Sequence, residues 1–159
     1  MALIRSVKGV NPQWGKGCFI AENATITGDT IIGDNCSIWF NAVVRGDVHS
    51  IRIGNNVNIQ DGVIIHCTYQ KAKVSIGDHV SIAHGAIIHG CKINNNVLIG
   101  MGAIIMDGAI IESNSVIAAG ALIPKDTVVK SGSVFAGVPA KEIRKVDTEL
   151  LEGEINRIS

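Results

Sequence analysis

The chain has 159 residues, 18% of them charged and only 4% aromatic, with 14 basic side chains balancing 14 acidic ones. That length suits one domain able to bury a real core. Zero net charge and a pI near 6.9 leave no electrostatic footprint for nucleic acid or an anionic membrane surface.

The first residues, M-A-L-I-R-S-V-K, lack the apolar stretch and cleavage site of a signal peptide. No apolar run approaches the roughly 18 residues that a membrane span requires. Four cysteines, none in a C-x-x-C pair, suit a reducing compartment. A cytoplasmic protein without a membrane or nucleic-acid partner is expected. Residues 1–13 are expected to cover the start of the domain.

From Trp14 onward an apolar residue recurs every sixth position: Ile20, Ile26, Ile32, Ile38 and Val44. The register slips by three residues to Ile53, resumes at Ile59 and Ile65, then slips by five to Ile76. After Ile82 and Ile88 it loses one residue before Ile93, then runs unbroken through Ile99, Ile105, Ile111, Ile117 and Ile123 to Val129. Four residues after each anchor comes a smaller residue, among them Cys18, Ala24, Cys36, Ala42, Ala86 and Ala103. The position after the anchor is often glycine, as at Gly54, Gly77 and Gly100. A period of six fits neither an amphipathic helix nor an alternating strand. It fits a parallel β-helix with stacked anchors inside and small residues turning the corners. The pattern resembles the hexapeptide-repeat family, which implies a left-handed triangular prism with three repeats per coil. Six coils follow, 14–31, 32–52, 53–75, 76–92, 93–110 and 111–128, with a partial seventh. Both insertions, at 46–50 and about 67–73, then fall on the third side. The prism should span 14–138, and residues 139–159 should form an α-helix packed along it. Pro139 is placed for a helix start, and Ile143, Val146, Leu150 and Ile155 form an apolar stripe.

The register sorts the histidines. His66 and His89 follow the third-side anchors Ile65 and Ile88, so they share one column, about 4.8 Å apart. Arg45 lies in that column one coil earlier. His84 follows the second-side anchor Ile82 by two residues, and its column-mate is Asp61, beside Gln60. Zinc needs imidazole nitrogens at about 2.0–2.1 Å, yet about 16 Å of extended backbone separates His84 from His89. One chain should therefore not gather all three rings. A cyclic homotrimer can, with His66 and His89 from one subunit and His84 from the next. Three neutral imidazoles leave open positions on the metal, where a bound water with its pKa lowered towards about 7 supplies hydroxide at neutral pH.

His79 reads as a solvated loop residue, and His49 lies in the first insertion. Cys18 and Cys36 belong to the core. Cys67 and Cys91 flank two ligand positions, where a fourth, thiolate ligand would close the site. Lys71 and Lys73 read as a solvated basic loop tip.

V-V-R-G-D at 43–47, N-I-Q-D at 58–61, the three histidines and G-V-P-A-K at 137–141 resemble the short bacterial γ-class carbonic anhydrases over essentially the whole chain. The resemblance implies a trimer with zinc, or Fe2+ or Co2+, between subunits and reversible hydration of CO2 to bicarbonate. It implies interface ion pairs at Arg45, Asp47 and Asp61, and active-site lining by Asn58 and Gln60, with Gln60 orienting hydroxide or substrate. One departure stands out. The family's archaeal prototype has a proton-shuttling glutamate after its first histidine and another after the R-G-D motif. Here Cys67 to Lys73 carry no carboxylate, and Val48 follows Asp47. Three other functions share this scaffold: acyl or acetyl transfer from coenzyme A, metal-dependent (thio)ester hydrolysis, and a non-catalytic metal-binding trimer.

Overall fold

The structure, a computed structural model, describes residues 1–150 and Gly153. The chain winds as a left-handed parallel β-helix of about seven turns, the architecture expected from the six-residue period. Each anchor column is a continuous parallel ladder. On the second side Ile20 pairs with Ile38, then Ile59, Ile82, Ile99, Ile117 and Phe135. On the third side Ile26 pairs with Val44, then Ile65, Ile88, Ile105 and Ile123. The first side runs from Trp14 through Ile32, Ile53, Ile76, Ile93 and Ile111 to Val129.

Anchors from Ile26 to Val129 are buried, most of them completely. Each fully buried isoleucine contributes about 1.5–3 kcal/mol of transfer free energy. The columns, rather than any one strand, therefore hold the prism together. Between them sit the small residues, with Ala24, Ala42, Ala86, Ala103 and Ala121 all at zero exposure.

The corners differ in detail from the sequence expectation. The left-handed residue that turns the chain comes three positions after the anchor. Asparagine fills that place at Asn35, Asn56, Asn96 and Asn114, with φ between 54° and 58°, as suits its tolerance of this region. Glycine directly after the anchor serves close approach instead. A Cβ on Gly54 or Gly77 would run into the side-chain oxygen of Asp78 or Asn95 in the next coil. Those oxygens accept backbone N–H groups from the coil before: Asp34 to Asn55 at 2.8 Å, Asn55 to Asp78 at 2.7 Å and Asp78 to Asn95 at 2.9 Å.

Two insertions behave differently. Residues 46–50 make no separate loop, since Val43–Ile53 is one strand that rounds the corner and joins the first and third sides into a 12-stranded sheet. Around 67–73 the chain forms a tight excursion closed by an antiparallel bridge between Thr68 and Ala72. At the N-terminus, Leu3–Arg5 adds a rung in parallel with Thr25 to Thr27.

The C-terminal expectation is corrected. No helix begins at Pro139: Ala140–Lys145 is a strand, antiparallel to Ser133–Gly137 across a turn at Pro139. The last coil leaves an open sheet edge, and this hairpin satisfies it, which outweighs a weak helical stripe. Ile143, expected to pack, is 61% exposed. Helix begins only at Thr148–Leu150; Val146 and Leu150 pack on Leu98, Val116 and Val134, against the second side. Ile155 lies outside the described residues. Among the described residues no helix is long and apolar enough to cross a membrane.

All four thiols are free, and burial pushes Cys36 and Cys67 up to about 11 and Cys91 up to about 12. A thiol with a pKa of about 11 is ionised in only about one molecule in a thousand at pH 8. In native protein at pH 8, Ellman's reagent should therefore leave these three unlabelled for hours, and in denaturant all four should react. Rapid native labelling of Cys67 or Cys91 would show that the excursion does not seal the core.

Candidate metal centre

Register brings two of the three sequence-predicted ligands together. His66 and His89 are direct cross-strand partners, and Arg45 pairs with His66 one coil before. Their rings lie 5.2 Å apart by centroid, with Nδ1 of His66 facing Nε2 of His89 at 3.2 Å. The outer nitrogens are each held by a carboxylate. Asp47 Oδ1 lies 3.0 Å from His66 Nε2, and Asp107 Oδ1 lies 2.5 Å from His89 Nδ1. Asp47 also takes Arg45 at 2.6 Å, so it bridges the basic end of the column to its first histidine.

Asp107 escaped the sequence reading, as did Thr68, whose hydroxyl donates to Asp107 Oδ2 at 2.6 Å. Asp107 sits two residues after Ile105, one coil beyond His89 and one position out of the ligand column. Gly90 makes room for it, since a Cβ there would meet Asp107 Oδ1. The one signal in the sequence was a lone acid a single coil beyond the last ligand.

His84 stands apart on the second side, exposed, with Nδ1 held 3.0 Å from Asp61 Oδ2. Gln60 Oε1 accepts its backbone N–H at 3.2 Å. Asn58 is fixed by two donors, the Ser37 hydroxyl and the Trp39 indole, each at 3.0 Å. These side chains line a shallow recess of about 230 Å³ formed by Trp39, Asn58, Gln60, Asp61 and His84. Within one chain, among the described residues, no three His, Cys, Asp or Glu side chains converge as a metal cage. His79 is an exposed corner residue with φ 54°. His49 Nδ1 accepts the backbone N–H of Ser50 at 2.8 Å, and no site residue bonds to its ring.

Electrostatics disfavour the charged form of His66 and favour the charged form of the two carboxylates. Partial burial, aided by Arg45 and His89, pulls His66 below the usual imidazole value despite Asp47. Burial alone would raise Asp47 and Asp107. Hydrogen bonds from Arg45 and His66 in one case, and from Thr68 and His89 in the other, outweigh it and hold both carboxyls low.

Comparison with known proteins agrees with this geometry. The model for bacterial transferase hexapeptide repeats matches residues 15–46 and 90–125. A carbonic anhydrase from Geobacillus kaustophilus is 44% identical over 98% of this chain and 83% of its own. A probable carbonic anhydrase from Methanocaldococcus jannaschii is 48% identical over 90% of this chain and 87% of its own. The chain belongs to the γ-carbonic anhydrase-like family of hexapeptide-repeat proteins. The crystal structure of a hexapeptide transferase family protein from Anaplasma phagocytophilum superposes with a TM-score of 0.93 at 40% identity. It covers 98% of this chain and 92% of that one.

Membership of this family implies a metal, and the His66–His89 pair fits one. Two ligand nitrogens at 2.0–2.1 Å from a tetrahedral ion lie about 3.3 Å apart, against 3.2 Å here. Each imidazole also has the carboxylate partner that metal-bound histidines usually carry on the other nitrogen.

The low carboxyl values have a consequence for acid stability. A carboxyl depressed in the folded state stabilises above its unfolded pKa, about 3.9 for Asp, and that stabilisation is lost as pH falls through the lowered folded value. Metal-free Asp47→Asn/Asp107→Asn protein should thus lose stability relative to wild type at pH 7 but much less at pH 3, as read by urea unfolding. An equal difference at both pH values would mean that neither carboxylate holds its neighbours by charge.

Proposed function

We propose that the chain is a γ-type carbonic anhydrase, hydrating CO2 reversibly to bicarbonate at three metal sites shared between the subunits of a homotrimer. The observation that carries this reading is the split donor set. Two facing imidazoles at ligand spacing lie in one column, while the third is held on another face by its own carboxylate. A second copy of the chain completes the set. Beside the histidine column runs an outward stripe in strict register, Val43, Ile64, Ile87, Ile104 and Leu122. Ile64 and Ile104 are exposed at 43% and 37%, and such a continuous apolar stripe suits a subunit contact.

In that assembly His66 and His89 of one subunit and His84 of the next hold zinc, with iron or cobalt as alternatives. The bound metal supplies Lewis-acid activation of water at neutral pH. The chain's own groups orient the rest. Asp47 and Asp107 fix the rings of His66 and His89, and Asp61 fixes His84 through Nδ1, leaving its Nε2 outward. Gln60 receives the His84 amide on its oxygen, so its amide nitrogen is the group that donates to a CO2 or bicarbonate oxygen. Asn58, locked by Ser37 and Trp39, holds the recess open beside it. Arg45 bonds Asp47 and belongs to the subunit contact more than to the chemistry. With no carboxylate between Cys67 and Lys73, proton release passes to the buffer. A cytoplasmic setting fits the four free thiols.

Stopped-flow hydration by zinc- or iron-loaded protein should exceed that of His66→Ala, with turnover rising as imidazole buffer is added. If neither metal form exceeds His66→Ala, the anhydrase reading is lost. Mixing His84→Ala with His89→Ala protein should restore about a quarter of the sites by random assembly. Full metal occupancy in either variant alone would refute the shared site. Asp107→Ala should weaken zinc binding about 10–100-fold, as partners of metal-bound histidines do; chelator competition measures it. A second reading, acyl transfer from coenzyme A, is favoured by the transferase repeat model that the coils match. Retention of transferase activity after metal removal would select it, whereas metal-dependent cleavage of a thioester would select the hydrolase.

A further inference from the structure

A second, larger cavity of about 480 Å³ opens on the far side of the 67–73 excursion. Lys71 and Lys73 come from the excursion, and Lys92 comes from the strand Lys92–Ile93 of the following coil. Ser75 adds a hydroxyl, while Gly90 and Gly108 leave the floor without side chains. A volume in the range of about 300–1,000 Å³ is that of small-molecule pockets.

Three lysine side chains line one hollow, and their like charges repel one another. Among the described residues none of the three forms an ion pair, although Arg45, Arg52, Lys130, Arg144 and Lys145 all do. Two carboxylates border the cavity. Asp107 lies behind Gly90, but Thr68 and His89 occupy both of its oxygens. Asp126 lies where a Cβ on Gly108 would point, so one carboxylate stands against the three lysines there. The lining therefore carries three cationic side chains, and most of the rest of it is small, with Ala72 and Ala109 beside Gly90 and Gly108. That combination suits an anion with a short carbon body better than a bare ion, because the lysines supply charge-assisted donors and the small residues supply contact.

We propose that this cavity binds a small organic oxyanion carrying two or more negative charges, either a phosphate ester or a polycarboxylate. Its ammonium donors are Lys71, Lys73 and Lys92. The site is distinct from the recess at His84 and does not depend on the metal reading. Its occupant grips the same excursion whose Thr68 holds Asp107, so binding is sensed one residue from His89.

Titrations of the native protein with glycerol phosphate, tricarballylate and inorganic phosphate, followed by amide shifts, test the site. One of the two organic probes should saturate with shifts at Gly90 and Gly108. Which of the two binds identifies the phosphate-ester or the polycarboxylate class. Lys92→Gln and Lys71→Gln/Lys73→Gln should each weaken binding about tenfold, with unchanged thermal unfolding and zinc content. The proposal falls if no probe saturates below about 10 mM, or if the lysine variants bind as wild type does. It falls equally if inorganic phosphate binds as tightly as either organic probe, because the floor then contributes nothing.

Discussion

Parallel stacking in strict register is the constraint on which everything else in this molecule depends. Each coil adds one apolar anchor, in most cases isoleucine, to each of three ladders, and a slip of one residue would turn a whole inward column out to water. The register therefore tolerates insertions only where the chain rounds a corner, and both insertions fall on the third side. The same rigidity turns sequence spacing into distance. Residues one coil apart in a column must lie about 4.8 Å apart, so the chain can set two imidazoles face to face without a loop having to order itself.

What the register places together, electrostatics must then keep. Two ring nitrogens facing each other at 3.2 Å can share one proton or one cation, but cannot both carry a hydrogen. The protein stiffens this pair from outside. Asp47 and Asp107 take the outward nitrogens, and each carboxylate is itself tied, to Arg45 on one side and to Thr68 on the other. The chain Arg45–Asp47–His66–His89–Asp107–Thr68 runs along one edge of the prism. Its two carboxylates fix the orientation of both rings from their outer sides.

Much of this could be read from the sequence because periodicity reports directly on burial in a solenoid. The three ladders, the His66–His89 column, the separation of His84 and the Asp61 partner all followed from counting in sixes. The misreadings came where another force overrode periodicity. Ile143, Val146 and Leu150 fit a helical stripe, but the exposed edge of the last coil demanded a strand, and Ala140–Lys145 supplied it. Residues 46–50 read as an insertion because they broke the count, and Val43–Ile53 takes them up by staying extended through the corner. Asp107 was invisible because its bond to His89 runs diagonally between coils, and a column argument sees only direct neighbours.

The excursion at 67–73 joins the two ends of the argument. It carries no carboxylate between Cys67 and Lys73, and its contact with the histidine column runs through a hydroxyl instead. Its first turn sends the Thr68 hydroxyl inward to Asp107, whereas Lys71 and Lys73 point to the opposite hollow. A hydrogen bond to a charged acceptor contributes about 1.5–3 kcal/mol, so losing the Thr68–Asp107 contact would cost His89 much of its orientation. The excursion is thus tied through Thr68 and Asp107 to the orientation of His89.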